Sequence, residues 1–209
     1  MAGPTSPNRS TRPAATRRYG PEVGEPPPLV DPRRWGSLIG LIGGARFIGS
    51  YSSVLGAAIS AFAWVAGLVL VLAALSAHYV WPVSLGPMVR PSPLALATFG
   101  ACVAAELALI NLGSRALIAA GDGDLRPALI ATVVGLHFIP FAWAFGERMF
   151  FWLGGLVSVL GVAGLGAGAM GVAQAAEAAA VVAGLVMLVM ITLYSRGLFA
   201  PGLSTEPTM

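Results

Sequence analysis

The sequence predicts an all-α bundle of transmembrane helices, six in number, with five as the alternative. Three observations carry that prediction. Of the 209 residues, 56% are hydrophobic and only 10% are charged, with a mean hydropathy of +0.80. Soluble domains carry about 25% charged residues, so a chain this apolar would expose more hydrophobic surface than water tolerates. The apolar residues also fall in long continuous runs of Ala, Leu, Val and Gly. A membrane barrel needs short alternating strands instead, and in lipid the other way to satisfy every backbone polar group is a helix. Finally, the runs are separated by Pro- and Gly-rich punctuation of the kind that marks turns.

Residues 1–33 are dominated by Pro, Gly, Ser and charges. They cannot bury enough apolar surface to fold alone and read as a disordered cytoplasmic tail. "EPPPLVDP" within them could form a polyproline II ligand, but a solvated tail is the simpler reading. There is no short basic start followed by an apolar core, so the segment does not read as a secretory signal. Residues 34–199 form the expected bundle, and residues 200–209 a short C-terminal tail.

A membrane helix needs about 20 mostly apolar residues. Spans are expected over residues 57–77, 94–114, 127–146, 149–172 and 176–195. "PVSLGPMVRPSP" (82–93) is a proline-rich loop and "GDGD" (121–124) a turn. Pro127 suits the first turn of the helix it opens. The difficult segment is "WGSLIGLIGGARFIGSYSS", residues 35–53, which carries Arg46 and many Gly and Ser. Hydropathy alone allows a weak span or a helix lying in the interface. Gly36, Gly40 and Gly44 make a small-xxx-small ridge suited to close packing in lipid, which favours a true span. "SYSSVLG" supplies the turn that follows.

All twelve basic residues are arginine, which fits a GC-rich bacterial genome. Six of them precede residue 35. With six spans, nine arginines (9, 12, 17, 18, 33, 34, 90, 148, 196) fall on one side and two (115, 126) on the other. The positive-inside rule then makes both termini cytoplasmic in a multi-pass cell-membrane protein. The basic balance is a topology signal, so nucleic acid is not an expected partner; the lipid bilayer is. Trp35, Tyr79, Trp81, Trp143, Trp152 and Tyr194 fall near span ends, as an interfacial belt requires. Trp64 falls inside a span and is expected to pack.

Three stretches, "RRWGSLIGLIGG" before "SVLG", "CVAAELALINLGSRAL" and "LRPALIATVVGLHFIPFAWAF", resemble a family of small bacterial integral membrane proteins, chiefly actinobacterial. The G-x-H-F-x-P core of the third is the most specific element. The resemblance covers about residues 33–152 and implies a genuine first span, hence six. It implies no activity, substrate or cofactor.

Ionisable residues inside spans are costly and are functional candidates by default. Three qualify: Arg46, Glu106 and His137. Glu106 lies nine residues before Arg115, roughly 14 Å from the 115–126 connection, and His137 lies ten after Pro127, roughly 15 Å from it. Neighbouring antiparallel helices joined by a short loop usually pack together, so the two reach similar depth. Arg46 lies about 16 Å from the cytoplasmic side. Glu106 and Arg115 point to opposite faces, so Glu106 needs a partner from another helix, either Arg46 or His137. Such a pair can be a registry device for packing or the centre of a small transporter. Pro140 deprives the Leu136 carbonyl of its usual partner and tends to kink the helix beside His137.

Enzyme signatures are absent. Two histidines cannot make an H-E-x-x-H site, and there is no G-x-S-x-G elbow or phosphate loop. Cys102 is the only cysteine, which excludes an intramolecular disulfide and a paired-cysteine metal site. "DGD" (122–124) has too few ligands for calcium. The glycines of residues 151–171, notably the pairs Gly154–Ser158 and Gly164–Gly168, read as helix-packing surfaces. No cofactor, metal or catalytic residue is expected. The expectation is an integral membrane component with a structural or accessory role. The alternative is a small transporter or channel around Glu106 and His137. The Gly/Ala ridges permit a homo-oligomer as readily as internal packing.

Overall fold

A computed structural model describes residues 27–85 and 91–199. The first 26 residues of the expected tail, residues 86–90 of the proline-rich loop and residues 200–209 lie outside the described residues. Six helices are long and apolar enough to cross a membrane, so the first-span question resolves to six. They are α1 (Pro32–Tyr51), α2 (Ala57–Leu75), α3 (Pro93–Ala120), α4 (Arg126–Ala144), α5 (Arg148–Ala169) and α6 (Ala175–Ser195). Short connections join every successive pair except α2 and α3, which are linked by residues 81–92, and successive helices run antiparallel. The start of α1, the α2–α3 and α4–α5 connections and the end of α6 share one end, called the near end; the other three turns form the far end.

The expected boundary after residue 33 needs correction. Asp31 is fully buried and caps α1, its carboxylate accepting from the Arg33 backbone N–H, with Pro32 at the first helical position. An Asp cap followed by Pro fixes a helix start strongly, so the bundle begins two residues earlier. At its other end α1 runs into a 3-10 turn, Ser52–Leu55, and Gly56 at φ +95° reverses the chain. That backbone conformation costs glycine little.

α2 ends in a π-helical turn, Ser76–Val80. α3 starts on a Ser92 cap that accepts from the Ala95 N–H and stops at Gly121, φ +87°. It runs six residues further at its C-terminal end than expected, so Arg115 lies within it. The "GDGD" turn holds a 3-10 turn, Gly123–Leu125, and Pro127 opens α4 as expected. α4 continues through Pro140 to Ala144.

The core lies between α6 and its neighbours. α6 packs against α1, α2, α4 and α5, and α4 packs most extensively on α5. In lipid no hydrophobic force drives helices together, so close van der Waals approach must do so. The glycines supply it. A Cβ on Gly44 would meet the Gly184 carbonyl at 2.9 Å, and one on Gly184 would meet the Gly44 carbonyl at 2.7 Å. This is where α1 crosses α6. Gly135 faces Ser158, Gly154 faces the Gly135 carbonyl, and Gly161 faces Thr132 where α4 meets α5. The ridges expected on the first and fifth spans are thus used inside the chain. Gly36 is the exception, with nothing near it. Trp64 is half exposed, its ring lying over Gly49. Tyr194 is buried and leaves the interfacial belt, whereas Trp35, Trp81, Trp143 and Trp152 are exposed near helix ends.

α3 is peripheral. Only 6% of its most apolar stretch is buried, against 56% for α6, and its one extensive helix contact is with α4.

Candidate functional site

Glu106 sits at the middle of α3, thirteen residues from Pro93 and fourteen from Ala120. His137 sits on α4, eleven residues after Arg126. Antiparallel pairing across the Gly121–Leu125 turn brings them together, with His137 Nδ1 3.6 Å from Glu106 Oε2. That distance is too long for a hydrogen bond and makes an ion pair only when the imidazole is protonated. His137 Nδ1 is buried and makes no hydrogen bond. Both side chains keep a thin opening, 12% for His137 and 18% for Glu106.

Arg46 does not join them. α1 packs on α6 and α2, and Arg46 is exposed, within electrostatic reach of Tyr51 towards the far end. The expected three-residue cluster is therefore a pair. The reason is the bundle order: α3 meets α4, while α1 lies across α6.

The G-x-H-F-x-P residues surround this pair. Gly135 allows Ser158 of α5 to approach. The Phe138 ring lies 4.1 Å from His137 between centroids and stacks on Phe150 of α5 at 6.0 Å. Phe141 meets His137 edge-on at 5.2 Å and stacks on Phe99 of α3 at 5.2 Å. Aromatic pairs at these separations and tilts are favourable beyond their buried area. Pro140 interrupts the hydrogen bonding one turn beyond His137 without ending the helix.

A second polar assembly at the near end was not anticipated. Asp31 is fully buried and holds Arg33 through both carboxylate oxygens, at 2.9–3.2 Å. Arg33 also donates to the Leu85 carbonyl at 3.0 Å. The buried Arg34 donates to the His78 carbonyl at 2.7 Å and the Val83 carbonyl at 3.1 Å, with His78 Nδ1 3.3 Å away. His78 is fully buried in the π-helical turn, and among the described residues its Nε2 has no hydrogen-bond partner. Across the same end the Tyr194 hydroxyl donates to Glu147 at 3.3 Å. Burial pushes the Glu147 carboxyl up from its ordinary value, against the pull of the Arg33 guanidinium and the Tyr194 hydroxyl. Two arginines thus clamp the chain after α2 beneath the bundle, and Leu85 enters the core with Met149, Leu153 and Tyr194. The one signal available in the sequence was "DPRR", an Asp-Pro helix start followed by two cations.

At the far end a cavity of about 220 Å³ lies between the α3–α4 and α5–α6 turns, lined by Asp124, Gln174 and Glu177 among others. Among the described residues no group of three or more His, Cys, Asp or Glu is placed to hold a metal.

Fold and site together define a bundle of six helices long and apolar enough to cross a membrane, with a carboxylate–imidazole pair midway along α3 and a buried cationic clamp at one end. Comparison with protein-family models, curated proteins and solved structures found no match.

Proposed function

We propose that this protein is a structural or accessory component of the bacterial cell membrane, with both termini cytoplasmic, and that Glu106 and His137 fasten α3 to the bundle. One observation carries the reading: the pair bridges the single extensive interface that α3 makes. Without a partner, each group would be an isolated polar side chain in hydrocarbon, and intramembrane ionisable groups find partners for that reason. The aromatic packing of Phe99, Phe138 and Phe141 around them suits a fixed joint. Membership of the small, chiefly actinobacterial family that the G-x-H-F-x-P stretch resembles is part of the same proposal. In this reading the protein is not an enzyme, takes no cofactor and binds no nucleic acid.

A second reading, a small transporter or channel, draws on the unbonded His137 Nδ1 beside a carboxyl at mid-membrane. Proton flux in proteoliposomes separates the two. The structural reading expects wild-type flux at the level of empty liposomes, with Glu106→Gln loosening α3. Wild-type conduction that Glu106→Gln abolishes overturns it. Reporter fusions at the C-terminus and in the 121–125 turn test orientation, with cytoplasmic signal expected from the first alone.

A further inference from the structure

α3 carries a polar group that none of the described residues satisfies. Asn111 is exposed, and among the described residues its amide has no partner. α3 is centred between residues 106 and 107, so Asn111 lies about 7 Å from the middle of the span at the ~1.5 Å rise per residue. A hydrocarbon core about 30 Å thick encloses that depth. An unpartnered amide there costs several kcal/mol, because lipid offers neither donor nor acceptor.

The face around Asn111 is the opposite of the one that holds Glu106. At 100° per residue, Ala97, Gly100, Ala104, Ala108, Asn111 and Arg115 fall within an arc of about 80°. All six are exposed, and a Cβ on Gly100 would meet nothing. The exposed Leu107 and Leu112 flank the arc. The exposed face of α2 is different: Ile59, Phe62, Val65, Leu68, Val69 and Leu72 dominate it, with Ala58 and Ala61 between them, as a lipid-facing surface should.

We propose that this face of α3 is the interface of a parallel homodimer, closed by an Asn111–Asn111 hydrogen bond. The occupant follows from the chemistry of the amide, which is donor and acceptor at once. A two-fold axis places the same residue of each copy opposite itself, so one Asn111 satisfies the other. Copies inserted with one topology present α3 in parallel and in register. Small residues on both sides let the backbones approach until the amides meet. Arg115, one turn further, lies about 13 Å from the middle of the span. There its guanidinium reaches the headgroup phosphates, so the helices cross near Ala108 and diverge beyond it.

The proposal rests on the chain spanning a bilayer and is independent of the role given to Glu106 and His137. The test uses full-length protein with Cys102→Ala. Ala104→Cys and Ala108→Cys on α3, and Val65→Cys and Leu68→Cys on α2, are oxidised in native membranes. The α3 variants should give a disulfide-linked dimer and the α2 variants none. Energy transfer between labelled copies in liposomes should show association weakened about tenfold by Asn111→Leu and retained by Asn111→Gln. Carbonate-resistant membrane insertion, measured on every sample, separates a failure to span the bilayer from a failure to dimerise. Monomeric wild type, association indifferent to Asn111→Leu, cross-links at the α2 positions alone, or cross-links from position 108 to a different protein would each overturn the proposal.

Discussion

Replacing Arg34 by Leu removes the centre of the near-end clamp. The guanidinium donates to two carbonyls, His78 at 2.7 Å and Val83 at 3.1 Å, and both lose that donor in the variant. A buried acceptor left unsatisfied costs about 1–3 kcal/mol. Asp31 stays paired with Arg33, so no isolated charge remains. The buried guanidinium's own desolvation cost is relieved, which offsets part of the loss. The net expectation is a loss of about 2–4 kcal/mol from these terms. At roughly 2–4 °C per kcal/mol for a chain of this size, Tm should fall by about 5–15 °C. Tryptophan fluorescence during a thermal ramp in detergent measures it, and proteolysis at residues 81–85 reports whether the connection has come loose. Arg34→Lys keeps the charge but loses the planar fork, and should fall between the two. A variant within about 2 °C of wild type, with residues 81–85 equally protected, would refute the clamp.

Glu147 gives a pH test. Folding raises its carboxyl, so the folded state holds the proton more tightly than the unfolded chain does. That contribution is fully present below the ordinary glutamate value of about 4.3 and is lost as pH rises through the folded value. Over a pH 4–8 series the Tm of wild type minus that of Glu147→Gln should decrease with rising pH. A flat difference would contradict the assignment. At the α1–α6 crossing, Gly184→Ala puts a methyl 2.7 Å from the Gly44 carbonyl and 2.8 Å from Phe47 Cβ. The cost should be about 1–3 kcal/mol, while Gly36→Ala, which meets nothing, should leave Tm unchanged.

The spans were legible because hydropathy and turn residues are local. Hydropathy alone left the segment around Arg46 undecided, and its glycine ridge anticipated what the structure contains, with Gly44 seated against Gly184. Glu106 and His137 could be matched in depth by counting along two neighbouring helices. Arg46 could not be placed in the same way, because a depth does not say which helices are neighbours. The near-end clamp was illegible for a related reason. Arg34 is 44 residues from His78, Glu147 is 47 from Tyr194, and Asp31 and Arg33 sit at the edge of a stretch whose composition resembles a tail. Asn111 was visible as a polar residue within a span, but its exposure depended on learning that α3 has one extensive partner.

The crossing of α1 and α6 bears on how the bundle comes together during synthesis. Gly44 and Gly184 are 140 residues apart in sequence. At about 5–20 residues per second, the chain takes roughly 7–28 seconds to travel from one to the other. Throughout that interval α1 sits in the membrane without the helix it packs on, its glycine groove open to lipid or to other spans. Because α6 also packs on α2, α4 and α5, its arrival completes several contacts at once. Loss of α6 should therefore leave α3, α4 and α5 packed on one another but α1 and α2 without the helix they pack on, a half-assembled form exposed to membrane quality control.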